Sequence, residues 1–201
     1  MNPTNYDGVG EMRGGEFEDV SIDGIYTCKG DINAQDVRIS GIFKCVGLFE
    51  AKRLECDGIA EFESGIKAKK ITINGMVSVK NEGKIEADEI ICEGFLSGKS
   101  EISADVINAD GFINAKEIVG DSITIKSRAN GLKRMFLNRY SKIELIEATT
   151  VNLTKVSARK VSGHDVTIGP KCTIETVDCD GTLSVHPTAT VREVIGECSR
   201  T

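Results

Sequence analysis

The sequence predicts an all-β protein, a right-handed parallel β-helix (a solenoid) wound in coils of about 17 residues. Three observations carry this. Gly24, Gly41, Gly58 and Gly75 stand 17 residues apart, Gly94 follows after 19 and Gly111 after another 17. A second series, Ala34, Ala51, Ala68, Ala87 and Ala104, keeps the same step and takes the same two-residue insertion in the same repeat. The composition fits: 21 Gly, 3 Pro, no Trp and 5% aromatics suit many turns around a narrow aliphatic interior, and argue against a helical bundle. A β-sandwich would show alternation but no fixed period. The right-handed sense is expected because parallel connections are overwhelmingly of that hand.

Taken in order, residues 1–16 hold no apolar run and precede the first alternating residues, Phe17, Val20 and Ile22, so they are expected to be a mobile N-terminal tail. Residues 17–125 form the β-helix core. With each repeat Gly as zero, Tyr26, Phe43, Ala60, Val77, Leu96 and Ile113 fall at position two, and Cys28, Cys45, Phe62, Val79 and Gly98 at four. Ile32, Phe49, Ile66, Ile85 and Ile102 fall at eight, with the Ala series at ten. Val37, Leu54, Ile71, Ile90 and Ile107 fall at thirteen, and Ile39, Cys56, Ile73, Cys92 and Ala109 at fifteen. These are three pairs, each with an internal spacing of two, which is strand alternation. Three short strands per coil, each turning two side chains inward, follow. After Gly111 the period shortens, since Ala115 and Ile118 come early. Residues 126–142 interrupt the pattern as a basic amphipathic excursion, and alternation resumes over 143–198 through Ile143, Val151, Leu153, Val161, Val166, Ile168, Ile174, Val177, Leu183, Val185 and Val191. Nine or ten coils are expected.

The net charge of −6 excludes wholesale electrostatic binding of nucleic acid. No apolar run reaches the length of a membrane span and no secretory signal opens the chain, so the seven cysteines read as reduced thiols in a cytosol. They form no C-x-x-C and no cluster with His, and Cys28 with Cys45, and Cys56 with Cys92, share columns as core residues rather than metal ligands. No cofactor and no metal are expected.

Three surfaces stand out. Position one should face outward, yet it holds Ile25, Ile42, Ile59, Met76, Phe95 and Phe112, an apolar stripe that reads as a lateral or partner interface. The excursion has six bases and no acid, and Leu132, Met135, Phe136 and Tyr140 keep helical spacing beside Lys133, Arg134 and Arg139. Such a segment reads as contact with an anionic membrane surface or a partner. The terminal coils of a β-helix leave strand edges that pair with other chains unless blocked. Val20 and Ile22 at one end, and Leu183, Val185 and Val191 at the other, are the expected polymer end contacts.

The step Gly30-Asp31-Ile32-Asn33-Ala34, together with Val166-Thr-Ile-Gly-Pro-Lys-Cys-Thr-Ile174, Val177 and Gly181-Thr-Leu-Ser-Val185, resembles the bactofilins, polymer-forming bacterial cytoskeletal proteins, in the variant found in spore-forming bacteria. The resemblance runs over residues 17–195. It implies end-to-end polymerisation without nucleotide and a scaffold that positions other proteins at the cell envelope, affecting shape or motility. The chain departs from the family in its basic excursion and lacks the apolar N-terminal membrane-targeting segment of some members.

The sequence reading is therefore a non-enzymatic, cytoplasmic scaffold at or near the inner face of the membrane. Its partners would be further copies of itself, a homologous second subunit and an anionic membrane surface, with no nucleic acid and no small-molecule substrate. The alternative is a hexapeptide-type acyltransferase on a left-handed β-helix. Ile168-Gly-Pro-Lys-Cys-Thr-Ile174 resembles one hexapeptide, and His186 would be the general base. Coils built on 17 rather than on sixes weigh against it.

Overall fold

A computed structural model describes residues 4–127 and 140–200. Among them the regular structure is entirely β. Between Gly15 and Gly98 each coil contributes one eight-residue and one four-residue strand; a three-residue strand opens the series and a nine-residue strand closes it. These are β1 (Thr4–Tyr6), β2 (Val9–Met12), β3 (Gly15–Ile22), β4 (Ile25–Cys28), β5 (Ile32–Ile39), β6 (Ile42–Cys45), β7 (Phe49–Cys56), β8 (Ile59–Phe62), β9 (Ile66–Ile73), β10 (Met76–Val79), β11 (Ile85–Cys92), β12 (Phe95–Gly98) and β13 (Glu101–Ala109). Longer strands follow: β14 (Phe112–Lys126), β15 (Ser141–Thr154), β16 (Val156–Ile168), β17 (Thr173–Val185), β18 (Thr190–Ile195) and β19 (Ser199–Arg200). Every pairing between them is parallel, and they stack as a β-solenoid of about 11 turns.

The registers reproduce the columns of the sequence. Ile32 pairs with Phe49, Leu54 with Ile71, Ile71 with Ile90, and Cys56 with Ile73. The expected second and third strands of each coil differ in one respect: positions eight to fifteen form a single eight-residue strand. It turns inward at Ile32 and Ala34, then at Val37 and Ile39, a spacing of three where strict alternation would give two. Position eleven drops out of the ladder here, between Ala87↔Ala68 and Glu89↔Lys70 for example. A bend at that point keeps both halves facing the core.

The core is a continuous column of fully buried aliphatics with Phe43, Phe49 and Phe62 clustered edge to face in the first half. Burying each Ile of this kind contributes about 1.5–3 kcal/mol. Outside, opposite charges meet between several neighbouring coils: Lys70 meets Glu89 at 2.7 Å, Arg38 meets Glu55 at 3.0 Å, and Asp36 is held by Arg53. The Arg53 guanidinium beside Asp36 lowers the carboxyl below its usual range. These exposed pairs add little stability.

The register tightens in the C-terminal half. Ile102 pairs with Ile118 sixteen residues on, Ile143 with Ala158 fifteen on, and the step returns to seventeen at Val166↔Leu183, after an irregularity between Gly163 and Asp165. Residues 4–12 correct the sequence reading. They were expected to be a mobile tail, but β1 pairs with β3 and β2 with β4, completing a further coil. The strands are short, carry Asn5, Gly10 and Glu11 and are joined by Asp7 and Gly8, so hydrophobic patterning gives them no signal. The ladder of the following coil supplies their partner.

Candidate functional site

The two ends of the stack are the first candidate surface. Among the described residues β1 pairs only with β3 and β2 only with β4, while β18 and β19 pair only with β17. The outer edges of β1 and β2 at one end, and of β18 and β19 at the other, have no strand beyond them. Inner columns emerge there: Tyr6 and Phe17 are only partly buried at the N-terminal end, as are Val191 and Val194 at the other. Val191 continues the column of Ile174 and Val194 that of Val177, both fully buried one coil earlier.

This revises part of the expected end contacts. Val20 and Ile22 lie one coil in, buried under Thr4 and Tyr6 of β1, so they are core rather than edge. Leu183 is likewise covered, by Arg200 of β19. Val185 and Val191 do sit at the C-terminal end, Val185 being 40% exposed. The sequence reading missed Tyr6, Phe17 and Val194. Only the coil formed by β1 and β2 moves the N-terminal boundary outward.

The apolar stripe is the second surface. The registers stack Val9, Ile25, Ile42, Ile59, Met76, Phe95 and Phe112 in one line. Ile25, Ile42, Ile59 and Met76 are all 40–48% exposed and Phe95 is half-buried. Val9, unforeseen because its coil was, extends the line. Phe112 departs from the expectation and is buried, next to Ile113 and Asn114, which meet Ser141 and Lys142 of the following coil. Ile42 and Ile59 rest with half their surface in water, so replacing both with Ser is expected to cost under about 1.5 kcal/mol in all, from the apolar area at stake. Thermal denaturation should show a fall of only a few degrees. A loss comparable with that of a core substitution would place them inside.

Of the excursion, Leu132, Lys133, Arg134, Met135, Phe136 and Arg139 lie outside the described residues, while Tyr140 is 41% exposed. Its flanks are held firmly. Ser127 and Ser141 are the two buried polar residues of the described chain. Ser127 Oγ donates to the Gly111 carbonyl at 3.3 Å, the Ile113 amide donates to Ser141 Oγ at 3.0 Å, and the two hydroxyls are 3.4 Å apart. The segment thus leaves and rejoins the stack at one corner, beside the end of the stripe. Ordinary serines gave no sign of this in the sequence.

The histidines fall differently from the acyltransferase pattern. His186 Nδ1 is engaged within its own turn, accepting from the Thr188 amide at 3.1 Å. His164 does not face Asp165; its Nδ1 lies 3.0 Å from Asp180 of the next coil, at the rim of a shallow cavity of about 390 Å³ that also carries Glu147 and Asp178. The stacking of coils creates that pair, which linear spacing hides.

Six cysteines are buried and Cys198 is half-buried. Burial, with Cys28 alongside, pushes the Cys45 thiol up to about 12, and burial with Asp57 nearby does the same to Cys56. One thiol is therefore expected to react readily with a disulfide reagent at pH 8, and all seven after denaturation. In the fold Cys45 and Cys56 hold their protons above the ordinary value of about 9. Their contribution to stability is then complete below pH 9 and is lost as pH rises toward 12. The midpoint of thermal unfolding should fall from pH 8.5 to 10.5, and less steeply in Cys56→Ala.

No helix among the described residues is long and apolar enough to cross a membrane. No family model matches the chain and no solved structure matches it. A stretch of 48 residues is 46% identical to the uncharacterized protein YhbE of Bacillus subtilis (strain 168), covering 24% of this chain. That stretch spans 20% of the length of YhbE, so the likeness is local.

Proposed function

We propose that the chain is a self-assembling, bactofilin-like scaffold whose subunits join end to end through their terminal coils, without nucleotide. The observation that carries this reading is the pair of open ends. Each presents unpaired strand edges together with apolar side chains of the inner columns, Tyr6 and Phe17 at one end and Val191 and Val194 at the other. Edges of this kind recruit further strands unless Pro, charge or a covering element blocks them. A joint between subunits would repeat the coil-on-coil contact already made throughout the stack. The role in placing partner proteins at the envelope, and the cytoplasmic location, come from the family resemblance. The base-rich segment 126–142 is the part proposed to meet an anionic surface.

Negative-stain electron microscopy of the purified chain, with no nucleotide and at two salt concentrations, tests the reading. Filaments or sheets are expected from the wild type. Val191→Lys with Val194→Lys puts two charges on the C-terminal end and touches only the last coil, so compact single particles are expected with a midpoint of unfolding close to wild type. Single particles from the wild type, or unaltered filaments from the variant, would overturn end-to-end joining through this coil.

A further inference from the structure

We propose that the apolar stripe is one wall of a docking groove for a basic amphipathic α-helix of a partner protein. Three columns run side by side along the stack. The floor is the glycine row, where Gly58, Gly75 and Gly94 carry no side chain, and a Cβ on each would overlap the carbonyl of the preceding glycine. One wall is the stripe itself, Ile59, Met76 and Phe95. The other wall is the column preceding the glycines: Asp23, Ser40, Asp57, Asn74, Glu93 and Asp110, all exposed, with four carboxylates and no base. Asn74 donates to Asp57 at 2.7 Å, so the wall is tied from coil to coil. Between the walls lies a cavity of about 340 Å³ whose lining includes Asp57, Glu93 and Phe112 and, among the described residues, no Lys or Arg.

The pitch of the groove selects its occupant. Successive apolar side chains recur about every 4.8 Å along the stack. An α-helix lying along it offers one apolar residue per turn of about 5.4 Å. The two repeats drift apart by about 0.6 Å per turn, so they stay within about 2 Å over three turns, whereas a crossing strand would meet only one or two stripe residues. Apolar residues at i, i+3, i+7 and i+10, one per turn, would rest on Ile42, Ile59, Met76 and Phe95. Lys or Arg on the adjoining flank would meet Asp57 and Glu93. The same carboxylates disfavour an anionic membrane at this face. The proposal supplies a partner class for the scaffold role and rests on that role only for its cellular meaning, since one subunit carries the whole groove.

The test uses the full-length chain and a labelled synthetic helix of about 18 residues, five turns, built from Leu on one face and Lys on the other. Fluorescence anisotropy at low salt should show binding in the micromolar range, weakening as salt screens the acidic wall. A peptide with Glu in place of Lys, the Met76→Ser variant, and the Asp57→Lys, Glu93→Lys double variant should each bind at least about tenfold more weakly, a difference of about 1.4 kcal/mol. All substituted residues are exposed, and a circular dichroism melt checks that the variants fold. Equal binding of the Lys and Glu peptides, or indifference to these substitutions, overturns the proposal. So does binding that appears only when Leu132, Met135 and Phe136 are changed to Ser, which would mean the chain fills its own groove. Flotation with phosphatidylglycerol vesicles that depends on Met76 would also overturn it, in favour of a lipid surface. Electron microscopy of the same samples separates the two claims: filaments without peptide binding remove the groove alone, and peptide binding without filaments removes the polymer alone.

Discussion

Ile71→Asp is expected to unfold the chain, not merely to disassemble it. Ile71 is fully buried in the middle of the stack, between Leu54 of the coil before and Ile90 of the coil after. No buried side-chain nitrogen or oxygen among the described residues lacks a hydrogen-bond partner. A carboxylate at position 71 would be the exception, walled by aliphatic groups on every side. An unpaired buried charge costs about 3–5 kcal/mol, a large share of the roughly 5–15 kcal/mol that holds a typical domain together. Loss of the lower-cost Ile71→Ala contacts should remove about 2–5 kcal/mol, or about 10 °C of melting temperature at the slope usual for this size. Circular dichroism melts of the two variants make the check. A folded Ile71→Asp chain with a near-native midpoint would mean that position thirteen does not face inward.

The second large effect concerns glycines that look alike in the sequence. Gly58→Ala should destabilise by about 3 kcal/mol, the upper range for overpacking. Its new Cβ would overlap the Gly41 carbonyl oxygen, a backbone atom that cannot move without separating two coils. Gly98→Ala should do the opposite. Gly98 occupies an inward column, and a Cβ there would meet the side chains of Ile85 and Ile102 at 3.6 and 3.7 Å, ordinary contact distance. With no positive φ to satisfy, the change should stabilise by about 0.4–1 kcal/mol through the unfolded chain. Melting temperatures that move in opposite directions would establish that close coil contact, not backbone flexibility, accounts for the glycine row. A harmless Gly58→Ala would show that the coils can part at this corner.

Much of the coil was legible in advance because a solenoid writes its geometry into the chain. Each residue stacks on one about 17 positions away, so the inner columns of Ile32, Ile71 and Cys56 recur at that step and can be read by alignment of the sequence with itself. The outward stripe was legible for the same reason, as Ile25, Ile42, Ile59 and Met76 repeat in a column where alternation calls for polar residues. Val20 and Ile22 were misplaced at the edge because the coil of β1 and β2 has few apolar residues. Its pairing is stabilised by the ladder of its neighbour, a long-range contact with no local signature. Phe112 was placed outside because the coil that follows its own resumes at Ser141 and Lys142, beyond the excursion, so the spacing does not show what lies next to it.

By itself, then, the sequence determined the all-β class, the period, the inward columns and the apolar line, since all four are consequences of a repeat whose contacts recur at one fixed separation. The tertiary structure alone decided where the stack ends, how Ser127 and Ser141 close the excursion, and that His164 meets Asp180. Those features arise where the period shifts to fifteen or sixteen residues or where the last coil has no neighbour. There the spacing along the chain no longer states which residue lies above which, and only the registry of one coil on the next does.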